Sequence, residues 1–398
     1  MIASPVPIAG EQGPHYVYDG QEVERSIAAL RRALPGFGLL YSMKANPFRP
    51  LLKLMRRQGL GIDAASAGEV QAALAAGFAP ADIFYSCPGK TGGDLAFALD
   101  RAVLVADSLG ELARIESLAA SLGRTVRIGL RVNPAASLGP EPGADLDPKG
   151  APSKFGIDEE LLLSRLGEVK RLRHVEVDGI HVYLRSQVCC ARAVCALASR
   201  CVQTALALGQ GLERRLSWVN VGGGFGTASV LDLQALRQGM AGLGARLPSV
   251  RLFAESGRYL VARAGTFFTP VVDVKTSRGV RYCITGGTLD CMLRPSLALL
   301  LARLDGGAPA WPIEPLYSSP DCHRVRLVKA GGEEASGPAQ TVTVAGPLCT
   351  ALDVLAEGVQ LPRPETGDWI AVSNAGAYCA SLSPAGFASR PGAREYLV

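Results

Sequence analysis

Histidine is scarce in this chain of 398 residues: there are four, and the ten cysteines include no C-x-x-C pair. Without clustered histidines or paired cysteines, no zinc set of the usual spacings can be assembled, and no metal site is expected. The irregular cysteine spacing in so long a chain suits free thiols in a reducing cytosol rather than a disulfide framework. Blocks of basic charge are missing too. Lys plus Arg number 41 against 36 Asp plus Glu, so the net +5 is spread thinly and is not interleaved with aromatics. That pattern argues against a nucleic-acid partner and leaves an acidic small molecule acceptable. No run of 18 apolar residues offers a membrane span, and Met1-Ile2-Ala3-Ser4-Pro5 has no basic segment of the signal-peptide kind. A cytoplasmic enzyme-sized protein with no membrane partner is the expectation. At 48% hydrophobic and 19% charged residues, the composition is that of a globular protein long enough for two domains.

Along the first two thirds, short apolar runs alternate with helical patterns. Eight runs read as strands: Leu39–Lys44, Gly61–Ser66, Ile83–Cys87, Val103–Asp107, Val126–Val132, Val177–Leu184, Ser217–Gly222 and Val250–Glu255. Helical segments between them include Glu69–Gly77, Leu109–Leu122 and Ala191–Leu208. Strand–helix alternation implies parallel βα units, and eight of them imply an α/β fold of the (β/α)₈ TIM-like barrel type, with a doubly wound sheet as the alternative. From about Gly265 the texture changes. Thr266–Val274, Tyr282–Thr285, Gln340–Val344 and Thr366–Val372 read as antiparallel strands of a second, all-β domain, which the early Tyr16–Asp19 is expected to join. The reading sets residues 25–264 as the barrel and 1–24 plus 265–398 as the β-domain. Pro312–Gly337 reads as mostly loop.

In such a barrel, chemistry gathers at the C-terminal ends of the strands. Lys44 ends the first, in Tyr41-Ser42-Met43-Lys44-Ala45-Asn46-Pro47, where Asn46-Pro47 breaks the strand. A lysine at the end of a buried strand is desolvated, which lowers its pKa and makes its amine a nucleophile fit for a Schiff base. An isolated lysine there more often just reaches solvent. Gly222-Gly223-Gly224-Phe225-Gly226 ends the seventh strand; consecutive glycines let backbone N–H groups close around a phosphate, though a plain turn would also use them. The spacing is neither a Walker nor a dinucleotide fingerprint. Glu255 and Arg258 close the eighth strand in Glu255-Ser256-Gly257-Arg258. A lysine, a phosphate cradle, an acid and an arginine together are what pyridoxal 5'-phosphate demands, the acid keeping the pyridine nitrogen protonated so that the ring acts as an electron sink.

With these motifs in order, the chain resembles the fold-type III pyridoxal-phosphate decarboxylases, which include diaminopimelate and ornithine decarboxylases. The resemblance runs from about Tyr16 to Val398. It adds Asp63 with Ser66-Ala67-Gly68-Glu69, Pro88-Gly89-Lys90, Arg131-Val132-Asn133-Pro134, Ser153-Lys154-Phe155-Gly156, Gly346-Pro347-Leu348-Cys349, Gly376-Ala377-Tyr378 and the Arg390-Pro391 to Val398 ending. It implies an alanine racemase-like pairing of the barrel with a β-barrel domain across a homodimer interface. By that resemblance Lys44 carries the cofactor, Glu255 contacts the ring nitrogen, and Asp63, Arg131 and Gly257 belong to the same pocket. Gly222, Gly223, Gly224, Arg258, Ser186 and Tyr378 hold the phosphate. Cys349 comes from the partner subunit and reprotonates the α-carbon after CO₂ leaves, although a free cysteine is more often packing.

Departures from the family pattern bear on substrate. In Gly179-Ile180-His181-Val182-Tyr183-Leu184-Arg185-Ser186-Gln187, Tyr183 occupies the register of a ring-stacking histidine, with His181 two residues earlier on the same strand face. Either could lie against the cofactor; Tyr183 is favoured for its aromatic face. Thr350 replaces the glutamate that follows the cysteine in diaminopimelate decarboxylases, Ser296-Leu297-Ala298 follows Arg294-Pro295 without the expected tyrosine, and Arg185 is gained. These features resemble the branch that decarboxylates the diaminopropionate unit of a citryl conjugate in siderophore assembly of the staphyloferrin B type. Such a substrate has extra carboxylates and no free distal amine, which Arg185, Arg294 and Thr350 would meet. A diaminopimelate, lysine or ornithine decarboxylase is the alternative. A racemase needs a second base, for which Tyr378 or Tyr183 stands available, and a non-catalytic cofactor-binding protein would lack the β-domain.

Overall fold

In a computed structural model, residues 6–138, 146–147, 150–183, 185–226, 231–304 and 323–398 are described. The chain divides into two compact units, Arg25–Tyr259 and Met1–Glu24 with Leu260–Val398.

The first unit is a closed ring of eight parallel strands: Phe37–Ser42, Gly61–Ala64, Ile83–Tyr85, Val103–Ala106, Val126–Asn133, Val175–Val182, Trp218–Asn220 and Arg251–Ser256. The eighth pairs with the first, Glu255 opposite Leu40, and closes the barrel. Each strand is covered on both faces and therefore reads as a nearly continuous apolar run. Capping side chains start several outer helices. Ser66 accepts from the Glu69 N–H, Ser108 from that of Glu111, and Thr91 with Asp94 makes a reciprocal capping box. Six of the eight expected strands run too long at their C-terminal ends. The first stops at Ser42, and Lys44 lies in a 3₁₀ turn, Met43–Ala45, because Asn46-Pro47 already bends the chain. Ser66 is a helix cap, and the sixth strand ends at Val182, two residues before Leu184, which lies outside the described residues. Helix Ala191–Gly211 is long and apolar enough, by length and composition, to cross a membrane, although Arg192 and Arg200 interrupt its apolar run. Its Val194, Leu197, Cys201, Val202 and Leu208 are buried, as in a barrel helix packed on its sheet.

The barrel interior is built in layers. Leu40, Phe84, Val105 and Trp218 pack together, Trp218 edge-on to Phe84 at 5.0 Å. Gly129 and Gly179 leave the room that the indole fills, since a Cβ on either would lie 2.3 Å and 2.2 Å from its ring atoms. This plug leaves the strand ends above it as the place for polar groups.

The second unit is a mixed sheet, not purely antiparallel. Its order is Val325–Val328, Trp369–Val372, Gly265–Ser277, Val280–Thr285, Gln340–Ala345 and Val354–Leu361. The pairing of Val280–Thr285 with Gln340–Ala345 is parallel. His15–Tyr18 joins Gly265–Phe268 antiparallel and Arg394–Leu397 in parallel. A helix, Leu293–Leu304, is added to this β-domain. Val325–Val328 falls in the stretch expected to be loop; the part of that stretch before His323 lies outside the described residues.

Candidate active site

Two residues beyond each inward-facing residue of the plug, the side chains on the same strand face turn polar. Ser42, Asp63, Ser86, Asp107, Arg131, His181, Asn220 and Glu255 form this second layer, and every one is buried. So dense a set of buried polar groups is tolerated only when the groups satisfy one another or a ligand.

Lys44 stands at the rim. Its Nζ is 3.4 Å from Asp63 Oδ2, and its side chain is 46% exposed while that of Asp63 is 3% exposed. The desolvated lysine expected from the sequence is thus corrected: the 3₁₀ turn lifts Lys44 clear of the core, and the carboxylate beside it is the buried partner. Burial pushes the Asp63 carboxyl up, helped by Glu255 and opposed by Lys44, His181 and Arg131. Glu69 stands next to this pair and accepts from the Ala65 N–H at 2.6 Å; burial, with some help from Asp63, raises it to about 7. Arg131 Nη1 lies 3.5 Å from Asp107 Oδ1, and its guanidinium covers the Phe155 ring at 4.5 Å. Lys90 is wholly buried and fully engaged by Cys87 O, Val105 O and Glu111, so it serves the barrel frame.

Glu255 is the centre of a second group. Asn220 Nδ2 donates to its Oε1 at 2.7 Å, and His181 Nε2 approaches the same oxygen at 3.0 Å, an ion-pair distance without in-line hydrogen-bond geometry. Burial alone would raise this carboxyl. The polar contact with His181, together with Lys44 and Asn220, outweighs burial and brings it down to about 2. His181 Nδ1 is 2.7 Å from Ser86 Oγ. Both imidazole nitrogens are therefore turned to neighbours in the layer. Tyr183 instead carries its ring 5.9 Å from Lys44 Nζ and pairs its hydroxyl with Ser186 Oγ.

The glycine loop is pressed against the segment that follows Val182. Gly222 and Gly224 have φ of +73° and +81°, a region that penalises a side chain. A Cβ on Gly222 would lie 2.3 Å from Val182 O, on Gly223 2.5 Å from Glu255 O, and on Gly224 1.8 Å from Arg185 O. Ser186 is brought to the same loop, its Cα 3.3 Å from that last position. Gly257 lets the Lys44 turn approach closely, since its Cβ would meet Ala45 at 2.8 Å; Arg258 after it is buried. Arg185 is half-buried and lines a cavity behind the loop with Val194, Leu197 and Phe225, outside the polar layer.

In the β-unit, Cys349 is exposed on the loop Gly346–Asp353 and Thr350 beside it is half-buried. Asp353 organises that loop. Its carboxylate accepts from Thr288 Oγ1, from Leu289 N at 2.9 Å and from Leu348 N at 2.7 Å. Tyr378 has φ +56°, a strained conformation for an aromatic residue. Arg294, expected to meet substrate, is buried and donates from Nη1 to Ala377 O at 2.7 Å, tying its helix to the turn that carries Tyr378.

Residues 20–262 match the family model described as the pyridoxal-dependent decarboxylase, pyridoxal binding domain. The chain belongs to this family. Among its relatives is the L-glutamyl-[BtrI acyl-carrier protein] decarboxylase of Niallia circulans, 32% identical over 96% of this chain and 88% of that protein. Another is the 2-[(L-alanin-3-ylcarbamoyl)methyl]-2-hydroxybutanedioate decarboxylase of Staphylococcus aureus, 30% identical over 95% of this chain and 92% of that one. Among solved structures, the diaminopimelate decarboxylase of Helicobacter pylori with L-lysine superposes with a TM-score of 0.81 at 27% identity, covering 98% and 92% of the two chains.

This decarboxylase uses pyridoxal 5'-phosphate, and the residues of the barrel mouth fit it: a cradle that any Cβ would fill, a rim lysine and a buried acid kept ionised. Sequence reading missed Ser42, Ser86, Asp107 and Asn220 as members of the layer. Their signal was positional: each stands two residues beyond an inward residue of its strand, where the side-chain face repeats.

Proposed function

We propose that this decarboxylase removes the α-carboxylate of an amino-acid moiety held in an acidic conjugate, of the citryl-diaminopropionate type found in siderophore assembly. The observation that carries the reading is the Cys349 loop. Its one carboxylate, Asp353, is buried and occupied by three donors, and Thr350 stands beside the cysteine. A distal ammonium, as in diaminopimelate or lysine, would find no free carboxylate there, and an unpaired buried charge is costly. The named substrate of the Staphylococcus aureus relative is such an acidic conjugate.

In this reading Lys44 carries the cofactor, whose chemistry when bound is to accept the electron pair left on the α-carbon as CO₂ departs. Glu255 meets the ring nitrogen, and Tyr183 rather than His181 lies against the ring. Gly222, Gly223, Gly224, Ser186, Arg258 and Tyr378 hold the phosphate; Asp63 and Arg131 surround the lysine. Cys349 of a partner subunit in a homodimer delivers the proton to the α-carbon, and Thr350 beside it meets the conjugated end of the substrate, while Arg294 holds the turn that carries Tyr378. A second reading is favoured by the Niallia circulans relative, whose substrate is a glutamyl group on a carrier protein. That substrate likewise has its far end conjugated, and it retains the α-carboxylate only if joined through its side chain.

The test is CO₂ release from citryl-diaminopropionate, a γ-glutamyl thioester on a carrier protein, and meso-diaminopimelate. Turnover of the citryl conjugate at least a hundredfold above meso-diaminopimelate is expected. Efficient turnover of meso-diaminopimelate alone would make the enzyme a diaminopimelate decarboxylase, and turnover of the thioester alone would establish the second reading.

A further inference from the structure

A continuous chain of contacts crosses the barrel mouth. Ser86 Oγ meets His181 Nδ1 at 2.7 Å, His181 Nε2 meets Glu255 Oε1 at 3.0 Å, and Asn220 Nδ2 meets the same oxygen at 2.7 Å. Asn220 then turns its other end to the glycine loop, its Oδ1 accepting from Gly222 N at 2.9 Å, while Glu255 N donates to Gly222 O at 2.8 Å. Both side chains thus converge on Oε1, Asn220 by a hydrogen bond and His181 at ion-pair distance. Among the described residues no hydrogen bond reaches Oε2.

We infer that His181 and Asn220 are positioning residues that hold Oε1 of Glu255 so that Oε2 alone faces the pyridine N–H of the cofactor, with Asn220 fixing the span from that acid to the phosphate cradle. The inference rests on the ring-nitrogen role proposed for Glu255. A carboxylate with one oxygen held by an amide donor and faced by an imidazole nitrogen keeps its orientation and stays ionised in a buried setting, where an unassisted one would take up a proton. Facing a carboxylate, Nε2 carries the imidazole proton, and Ser86 donates to Nδ1; the serine thereby fixes the tautomer and the ring plane, as outer partners of histidine commonly do. The Gly222 contacts matter separately. They make the acid and the cradle one rigid piece, so that the ring nitrogen and the phosphate of one cofactor are met at once.

Holoenzyme reconstituted with cofactor labelled with ¹⁵N in the pyridine ring gives a readout independent of turnover, because the ¹⁵N chemical shift reports protonation of that nitrogen. The wild type is expected to show the protonated signal. His181→Phe keeps the ring volume and removes the donor; it should move the signal toward the unprotonated position and slow CO₂ release from citryl-diaminopropionate tenfold or more, with less than a threefold change in KM. His181→Gln, whose amide can still donate to Oε1, should restore the protonated signal. A protonated signal in His181→Phe, or a His181→Gln variant indistinguishable from it, would overturn the inference. Should His181→Phe fail to fold or to hold the cofactor, Ser86→Ala takes its place: an intermediate shift is expected, and a wild-type spectrum would overturn the inference. An unprotonated ring nitrogen in the wild type would instead refute the role of Glu255 itself.

Discussion

Gly224→Ala should abolish tight cofactor binding without unfolding the barrel. The added Cβ would lie 1.8 Å from Arg185 O, whereas ordinary contact begins at 3.4 Å, so the Arg185–Ser186 segment must retreat by about 1.6 Å or the loop must open by as much. Hydrogen bonds to a phosphate span roughly 2.7–3.2 Å and do not survive displacements of that size. Two charge-assisted bonds lost from the cradle, at about 1.5–3 kcal/mol each, amount to about 3–6 kcal/mol. Alanine at φ +81° also costs about 1–2 kcal/mol of backbone strain, which apoenzyme and holoenzyme share and which therefore leaves Kd unchanged. With each 1.4 kcal/mol worth a factor of ten, Kd for the cofactor should rise by roughly 10²–10⁴. Fluorescence titration of the apoenzyme with pyridoxal phosphate measures this, and circular dichroism checks that the fold persists. A folded variant that binds within threefold of the wild type would refute the assignment of this loop as the phosphate site.

Borohydride reduction should bleach the visible band of the purified protein and leave the cofactor mass on the Lys44 peptide; recovery on any other lysine would remove Lys44 from its role. Mixing Lys44→Ala with Cys349→Ala subunits should restore part of the activity if sites are shared between subunits, and no recovery despite shown subunit exchange would place each site within one chain. Glu69 gives a pH signature. Its folded-state pKa of about 7 lies above the ordinary 4.5, so the stability from its retained proton is full below about 4.5 and is lost as pH rises through about 7. Denaturant unfolding should therefore show Glu69→Gln gaining up to about 3 kcal/mol on the wild type between pH 4 and pH 8; a difference that does not change with pH would mean that its surroundings do not hold the proton on Glu69.

The barrel was legible because every strand is sheathed on both faces and reads as an apolar run, and because Glu255 and the glycines announce their chemistry by type. Lys44 was displaced from strand to turn because Asn46-Pro47 acts two residues earlier than a strand pattern suggests. Ser86 and Asn220 stayed hidden because a small polar residue at a strand end resembles any turn residue. The strand Arg394–Leu397 was equally hard to see: its partner lies at the opposite end of the sequence, and no local pattern encodes such a pairing. Helix Leu293–Leu304 carried the usual mark of a proline in its first turn, at Pro295, which was read only as part of a motif.

That terminal pairing has a consequence for the order in which the molecule is made. His15–Tyr18 leaves the ribosome well before either of its two sheet neighbours, Gly265–Phe268 and Arg394–Leu397. For most of synthesis it is an apolar strand with both edges open, while the barrel residues that follow it can already fold. The β-unit is finished only when the last strand arrives. A nascent chain stalled before residue 394 would carry a completed barrel together with a strand still open along one edge, a species prone to edge-to-edge association. Shortening the chain by a handful of C-terminal residues should accordingly lower its soluble yield far more than the few contacts removed would suggest.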